Sequence, residues 1–375
     1  METSVTLMII ALFWIVLVVA DLCVSLGLKL TAKVPFRKAF RWGLLSLLVP
    51  PMVIAYGTLV ERNRFEIKEV SLEYPDLPES FDGYRIIHIS DLHARSYAKR
   101  TARLERAAQI INGLDADLIA FTGDLISLVP DEIDPIAASL STLTAKDGVV
   151  SVLGNHDYGT YADTSGVLVD DLIAKERDMG WNLLLNEHKV LHRGLDSIVV
   201  VGVENTSSSH FFPSNGDLTK ASEGTEGAFR IVLTHDPLHW ESEILGLDYP
   251  LTLSGHTHAM QLSLFGWSPS SLMFKHCDGL YTSDAGNQHL YVNVGLGETI
   301  FPARIGARPE ITLITLKKRA QNQSICSQTH HRQPKWEQKQ RKRSQNEENT
   351  ITQAQKWKIC VGNLCRLSIF EAHNA

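Results

Sequence analysis

Two long apolar runs open the chain, and short apolar runs separated by polar loops fill most of the rest. Val5 to Leu28 is almost unbroken, interrupted only by Asp21. At 1.5 Å per residue it spans a hydrocarbon core of roughly 30 Å. Trp42 to Val60 is long enough as well, but it carries Pro50-Pro51. That pair predicts a kinked or broken membrane helix. A cleaved leader fits the first run poorly, because no basic segment precedes it and the run is too long. Asp21 is expected near a helix end or facing the second helix.

From Glu66 onward the period changes. Strands are predicted at Arg85–Ser90, Leu118–Thr122, Val149–Leu153, Ile198–Val203, Arg230–Thr234, Leu251–Ser254, Leu290–Val294 and Ile311–Leu316. Several are apolar on both faces, as fully covered strands are. Helices are predicted between them at Ala98–Asn112, Ile133–Ala145 and Val167–Met179. Alternation of strand and helix predicts a layered α/β domain. Ser207–Gly227, rich in Ser, Gly and Thr, reads as a surface insertion. Beyond Leu316 the chain turns polar and basic, which predicts a disordered tail. The organisation expected is therefore a membrane region at 1–65, a catalytic domain at 66–318 and a tail at 319–375.

Charge adds an orientation. Lys29, Lys33, Arg37, Lys38 and Arg41 lie between the two apolar runs with no acid among them. The positive-inside rule puts this linker in the cytoplasm and both termini outside. The expectation is a multi-pass cell-membrane protein with its catalytic domain on the outer face. The net charge of -6 on 375 residues gives no support to nucleic-acid binding. Five scattered cysteines form neither a disulfide framework nor a zinc site.

Five polar motifs sit where apolar strands end: Asp91-Leu92-His93, Gly123-Asp124, Gly154-Asn155-His156-Asp157, Thr234-His235 and Gly255-His256-Thr257-His258. Each alone has an ordinary explanation as a turn, a helix start or a buried histidine. Together they offer carboxylates, imidazoles and one carboxamide, which suit a pair of divalent ions such as Mn, Fe or Zn. Side chains two apart in extended chain point the same way, so Asp91 with His93, and His256 with His258, can each grip an ion. Strand ends in open α/β sheets are where such groups gather.

The set resembles the calcineurin-like metallophosphoesterase superfamily, over roughly Arg85 to Leu316. The resemblance implies a four-layer αββα sandwich with two mixed central sheets, here preceded by the two membrane helices. It implies that Asp91, His93 and His258 hold one metal, that Asn155, His235 and His256 hold a second, and that Asp124 bridges them. His156 is then the general acid, and Asp157 orients it. A membrane-linked branch with YkuE- and YaeI-type phosphodiesterases is more similar still, through Ile89 to His93, Asn293-Val294-Gly295-Leu296-Gly297, Arg304 and Arg308 to Ile311. Two departures stand out. That branch usually follows Gly-His-Thr-His with Gly-Gly-Gln, where this chain has Ala259-Met260-Gln261. Protein phosphatases of the superfamily carry an arginine shortly after the bridging aspartate, but Leu125 to Leu128 has none.

The expectation is a membrane-anchored phosphodiesterase or pyrophosphatase acting on a lipid-linked or small phosphodiester. A UDP-2,3-diacylglucosamine hydrolase of lipid A synthesis is the alternative, weakened because that reaction is cytoplasmic. A non-catalytic binding module and a nuclease are further options; no metal ligand is missing and no large basic patch is present. The apolar side chains of Leu262–Phe274 have two open placements: the domain's own core, which is the more ordinary, or a rim that meets acyl chains.

Overall fold

The computed structural model describes residues 2–162, 167–207 and 209–319. The expected tail, apart from Arg319, lies outside the described residues, with Cys326, Cys360 and Cys365.

The first apolar run forms α1 (Glu2–Thr31). The second breaks as its prolines require: α2 (Phe36–Gly43), a 3-10 turn at Leu44–Leu48, then α3 (Val49–Leu59). Pro50 and Pro51 sit in the first turn of α3, where a missing backbone donor leaves no bond unmade. Both helical stretches, Thr6–Thr31 and Phe36–Asn63, are long and apolar enough to cross a membrane. Asp21 faces the second stretch. A Cβ on Gly43 would collide with its carboxylate, and Ser25 Oγ donates to it at 3.2 Å.

Two six-stranded mixed sheets follow. The first orders β1 (Glu66–Tyr74), β12 (Glu310–Lys318), β2 (Arg85–Ile89), β3 (Leu118–Phe121), β4 (Val149–Ser151) and β5 (Asn182–Leu183). The second orders β10 (Gly279–Thr282), β11 (His289–Val292), β9 (Leu251–Ser254), β8 (Phe229–Leu233), β7 (Asp196–Gly202) and β6 (Glu187–Arg193). β2 through β5 run parallel, as do β7, β8, β9 and β11.

Strand alternation sorts the side chains into layers. Ile86, Leu118 and Val150 point between the sheets and meet Val200, Ile231 and Leu253. Ile87, Ile119 and Val149 point outward under α4 (Thr101–Gly113), α5 (Ala137–Leu140) and α6 (Val167–Asp178). Val199, Val201 and Val232 point to the other outer face, covered by α7 (Leu218–Ala221) and Trp240. These are the four layers expected.

Three local expectations need correction. The helix predicted over Ile133–Ala145 shrinks to α5, because Pro135 disfavours helical geometry at Asp134. The segment Ser207–Gly227 is not all surface: α7 lies within it and buries Leu218 and Ala221. Four strands escaped the pattern. β1, β6 and β10 are mixed-polarity strands at or near sheet edges, and β5 has two residues.

Candidate metal centre

All five motifs sit just past strand C-termini: β2 carries Asp91 and His93, β3 Asp124, β4 Asn155 and His156, β8 His235, and β9 His256 and His258. Because these strands run parallel within each sheet, their ends open on the same side. Two clusters result, Asp91 with His93 and His258, and Asp124 with His235 and His256, each within the reach of one ion, and a third group, His93 with Asp124 and His156, overlaps both. His93 Nε2 lies 3.8 Å and His235 Nε2 3.2 Å from the same Asp124 Oδ2, so that carboxylate stands between the clusters. Asn155 Oδ1 is 3.1 Å from His235 Nε2 and 2.8 Å from His256 Nδ1.

The backbone is bent hard to achieve this. Asp91, His93, Asp124, His256 and His258 all have φ between 45° and 72°. Left-handed geometry is unfavourable for residues with a Cβ and concentrates at functional sites. Glycines leave room for the converging side chains. A Cβ on Gly154 would lie 2.3 Å from Asp124 Oδ1, and one on Gly255 would lie 2.3 Å from Asp91 Oδ2.

The donor set fits divalent cations. Asp91 Oδ1 is buried without a hydrogen-bond donor, although His258 Nε2 is 3.0 Å away. His93 and His258 aim their Nε2 atoms at each other across 3.0 Å. Burial, then the neighbouring His156 and His258, holds His93 well below its ordinary pKa, and burial lowers that of His256. Burial alone would raise Asp124, but His235 and His156 outweigh it and keep it well below the usual carboxylate range. Burial likewise disfavours charge on His235, yet Asp124 pushes its pKa up to about 10. The pocket thus favours one extra positive charge between ionised carboxylates, which a metal ion supplies.

Two residues behave differently from expectation or had no assigned role. Asp157, expected to orient His156, turns away from that ring. Its carboxylate accepts from the amides of Asp124 at 2.8 Å, Gly154 at 2.8 Å and Ile126 at 3.1 Å. It shapes the loop that carries Asp124, and burial followed by repulsion from Asp124 pushes its pKa up to about 7. The His156 ring is held instead by Nδ1 donating to Ser127 O at 2.8 Å, and it stacks on Tyr161 with centroids 4.4 Å apart. Arg304 is fully buried. It donates to the carbonyls of Val294, Gly297 and Ala307 and brings Nη2 to 3.4 Å from His258 Nδ1. Its position in the motif string was visible in sequence, but its contact with His258 was not.

Known proteins resemble this chain in sequence. A family description, calcineurin-like phosphoesterase, matches residues 84–260. The uncharacterized metallophosphoesterase YkuE of Bacillus subtilis is 31% identical over 295 residues, covering 75% of this chain and 97% of that protein. The chain belongs to the calcineurin-like metallophosphoesterases. This metallophosphoesterase is therefore a phosphoric ester hydrolase by family, and the family typically uses a dinuclear metal centre. A Danio rerio transmembrane protein with metallophosphoesterase domain is 32% identical over 292 residues, which cover 75% of this chain and 64% of that one. The UDP-2,3-diacylglucosamine pyrophosphatase LpxG of Chlamydia trachomatis is 25% identical over 307 residues, 67% of this chain and 89% of LpxG.

Proposed function

We propose that this metallophosphoesterase is a membrane-anchored phosphodiesterase or pyrophosphatase with two divalent ions, acting on a lipid-linked or small phosphodiester. The observation that carries the reading is Asp124, whose one carboxylate serves both clusters. Asp91, His93 and His258 would hold one ion and Asn155, His235 and His256 the other, with Asp124 shared between them. When bound, such a pair lowers the pKa of a water and neutralises charge on the phosphoryl oxygens. His156, with Nδ1–H committed to Ser127 O, presents Nε2 to the departing oxygen and can give it a proton when that nitrogen is also protonated, returning to the neutral ring. Asp157 keeps the Asp124 loop in register. The lack of an arginine in Leu125 to Leu128 argues against phosphoprotein substrates.

The test loads metal-free protein with Mn and compares bis-p-nitrophenyl phosphate with p-nitrophenyl phosphate. Preference for the diester is expected. Preference for the monoester overturns the phosphodiesterase reading, and no turnover with any divalent ion supports a binding module instead.

The two apolar stretches and the basic linker support a multi-pass protein with its catalytic domain on the outer face. Protease treatment of intact spheroplasts checks this; a protected domain refutes it. The resemblance to LpxG supports a second reading, pyrophosphate cleavage in a UDP-linked glycolipid, which release of UMP from UDP-2,3-diacylglucosamine would establish.

A further inference from the structure

The loop 262–274 does not pack its apolar side chains into the core. Leu264, Phe265, Trp267, Leu272 and Met273 are all exposed, Phe265 completely and Leu272 to 79%. The more ordinary of the two sequence placements is therefore wrong for these five residues; Leu262 and Phe274 are partly covered. Exposed apolar groups gathered on one loop mark a contact surface rather than chance.

The backbone holds these groups outward. Leu264 and Trp267 exchange two backbone hydrogen bonds, at 2.8 and 3.0 Å, across a two-residue turn. Its residues, Phe265 and Gly266, have φ of 54° and 81°. Turns of this kind favour Asn or Gly in the first place; here an aromatic ring stands there, bare. Ile300 repeats the pattern in an adjoining turn, with φ of 63° and 61% exposure. A β-branched residue in that geometry is a rare outlier.

Position identifies what covers the surface. Ser263 N donates to Ile305 O at 2.8 Å, and Leu262 bridges Ile305. The segment 303–305 packs on buried Gly57 of α3, where a Cβ would come within 2.8 Å of Arg304 O. Arg62, just past α3, donates to Pro302 O at 3.0 Å. The loop therefore starts beside the end of the second membrane stretch. Its other end reaches the metal centre: the Phe274 ring meets His256 edge-on, centroids 5.5 Å apart. The loop thus runs from beside the membrane helix to a candidate metal ligand, carrying its exposed apolar side chains between them.

We infer that loop 262–274, with Ile300, seats in the headgroup–acyl boundary of the leaflet next to α3 and turns the metal centre toward the lipid headgroups. This rests on the phosphodiesterase reading and narrows its substrate to amphiphiles whose acyl chains stay in the bilayer while the phosphodiester enters the site. Aromatic and aliphatic side chains at such a tip match the amphipathic chemistry of that boundary.

The full chain is reconstituted in phosphatidylcholine vesicles doped with phosphatidyl-p-nitrophenol. Bis-p-nitrophenyl phosphate serves as the water-soluble comparison. The double variant Phe265→Ser/Leu272→Ser is expected to lose at least tenfold on the lipid diester and less than twofold on the soluble one. Equal losses on both substrates overturn the inference, as do unchanged rates on both. In a separate arm, the emission difference between wild type and Trp267→Phe is measured with lipids brominated on the upper acyl chain. Quenching is expected; its absence overturns the inference. A change of oligomeric state in the double variant also overturns it, by assigning the surface to a second copy. If wild type hydrolyses neither ester, the phosphodiesterase reading fails, while the quenching arm still decides the membrane seat.

Discussion

Gly154→Ala probes how the centre is assembled. The added Cβ would lie 2.3 Å from Asp124 Oδ1 and 2.5 Å from Asp124 N, where ordinary contact begins near 3.4 Å. The carboxylate oxygen would have to retreat by roughly 1 Å, half the length of a metal–oxygen bond of about 2.0–2.2 Å. A sideways escape is blocked. Asp124 N is tied to Asp157 Oδ2, and Asp124 Oδ1 accepts from His156 N at 2.8 Å. The added Cβ would also lie 2.8 Å from His235 Cε1. Overpacking of this kind costs about 1–3 kcal/mol, which lowers the melting temperature by about 2–4 °C per kcal/mol in a domain of this size. The larger effect falls on metal. Metal content by mass spectrometry after Mn loading is expected to drop from two ions per chain to fewer than one, with diester turnover lost in parallel. Gly113→Ala is the control, since nothing lies within 4 Å of its added Cβ. If Gly154→Ala keeps both ions and wild-type turnover, close approach does not explain the glycine, and the assignment of Asp124 as shared ligand loses its geometric basis.

Four further outcomes are expected. Met260 has φ of 48°; Met260→Gly removes about 1–2 kcal/mol of strain against about 0.5–1 kcal/mol of added chain entropy, so a higher midpoint in urea is expected and a lower one refutes the account. Burial, then Asp157, raises the Glu176 pKa from 4.5 to about 8. The folded state keeps a proton that the unfolded state releases, so this group's contribution falls as pH rises between those values, by at most about 1.4 kcal/mol per unit; Glu176→Gln should flatten the pH dependence of the melting temperature, and parallel curves would exclude the group. Arg304→Lys keeps the charge but loses the planar fork; metal affinity is expected to weaken about 10–100-fold by titration calorimetry, and an unchanged value means that Arg304 does not position His258. His156→Ala should cut diester turnover about 10²–10⁴-fold with both ions retained, and metal loss would show a ligand rather than a proton donor.

The sequence pattern revealed the domain's centre better than its margins. Ile86 and Ile87, or Val199 and Val200, are apolar on both faces because helices or a second sheet cover each side, and such runs are conspicuous. β1 and β6 alternate with charged residues on an open face and blend with loop sequence. The candidate ligands were legible because each follows a strand and all but His235 have a glycine or another candidate ligand beside them or two residues away. Asp157 shows the limit. The family resemblance implied that it orients His156, while the fold aims its carboxylate at three amides of other residues. Arg304 and loop 262–274 depend on contacts with Val294, Gly297 and Gly57, which no local period encodes.

The centre closes over a long span of chain. His93 and His258 face each other from positions 165 residues apart, and each belongs to a different sheet. During synthesis α1 through α3, which carry the two candidate membrane stretches, emerge long before His258 exists. A complete ligand set appears only when both sheets have formed, on whichever side of the membrane the domain then occupies. Because metal supply as well as raw affinity decides which divalent ion a site takes, the ions such a site would acquire are those of the compartment where folding finishes. Membrane topology would then choose the metal as well as the address.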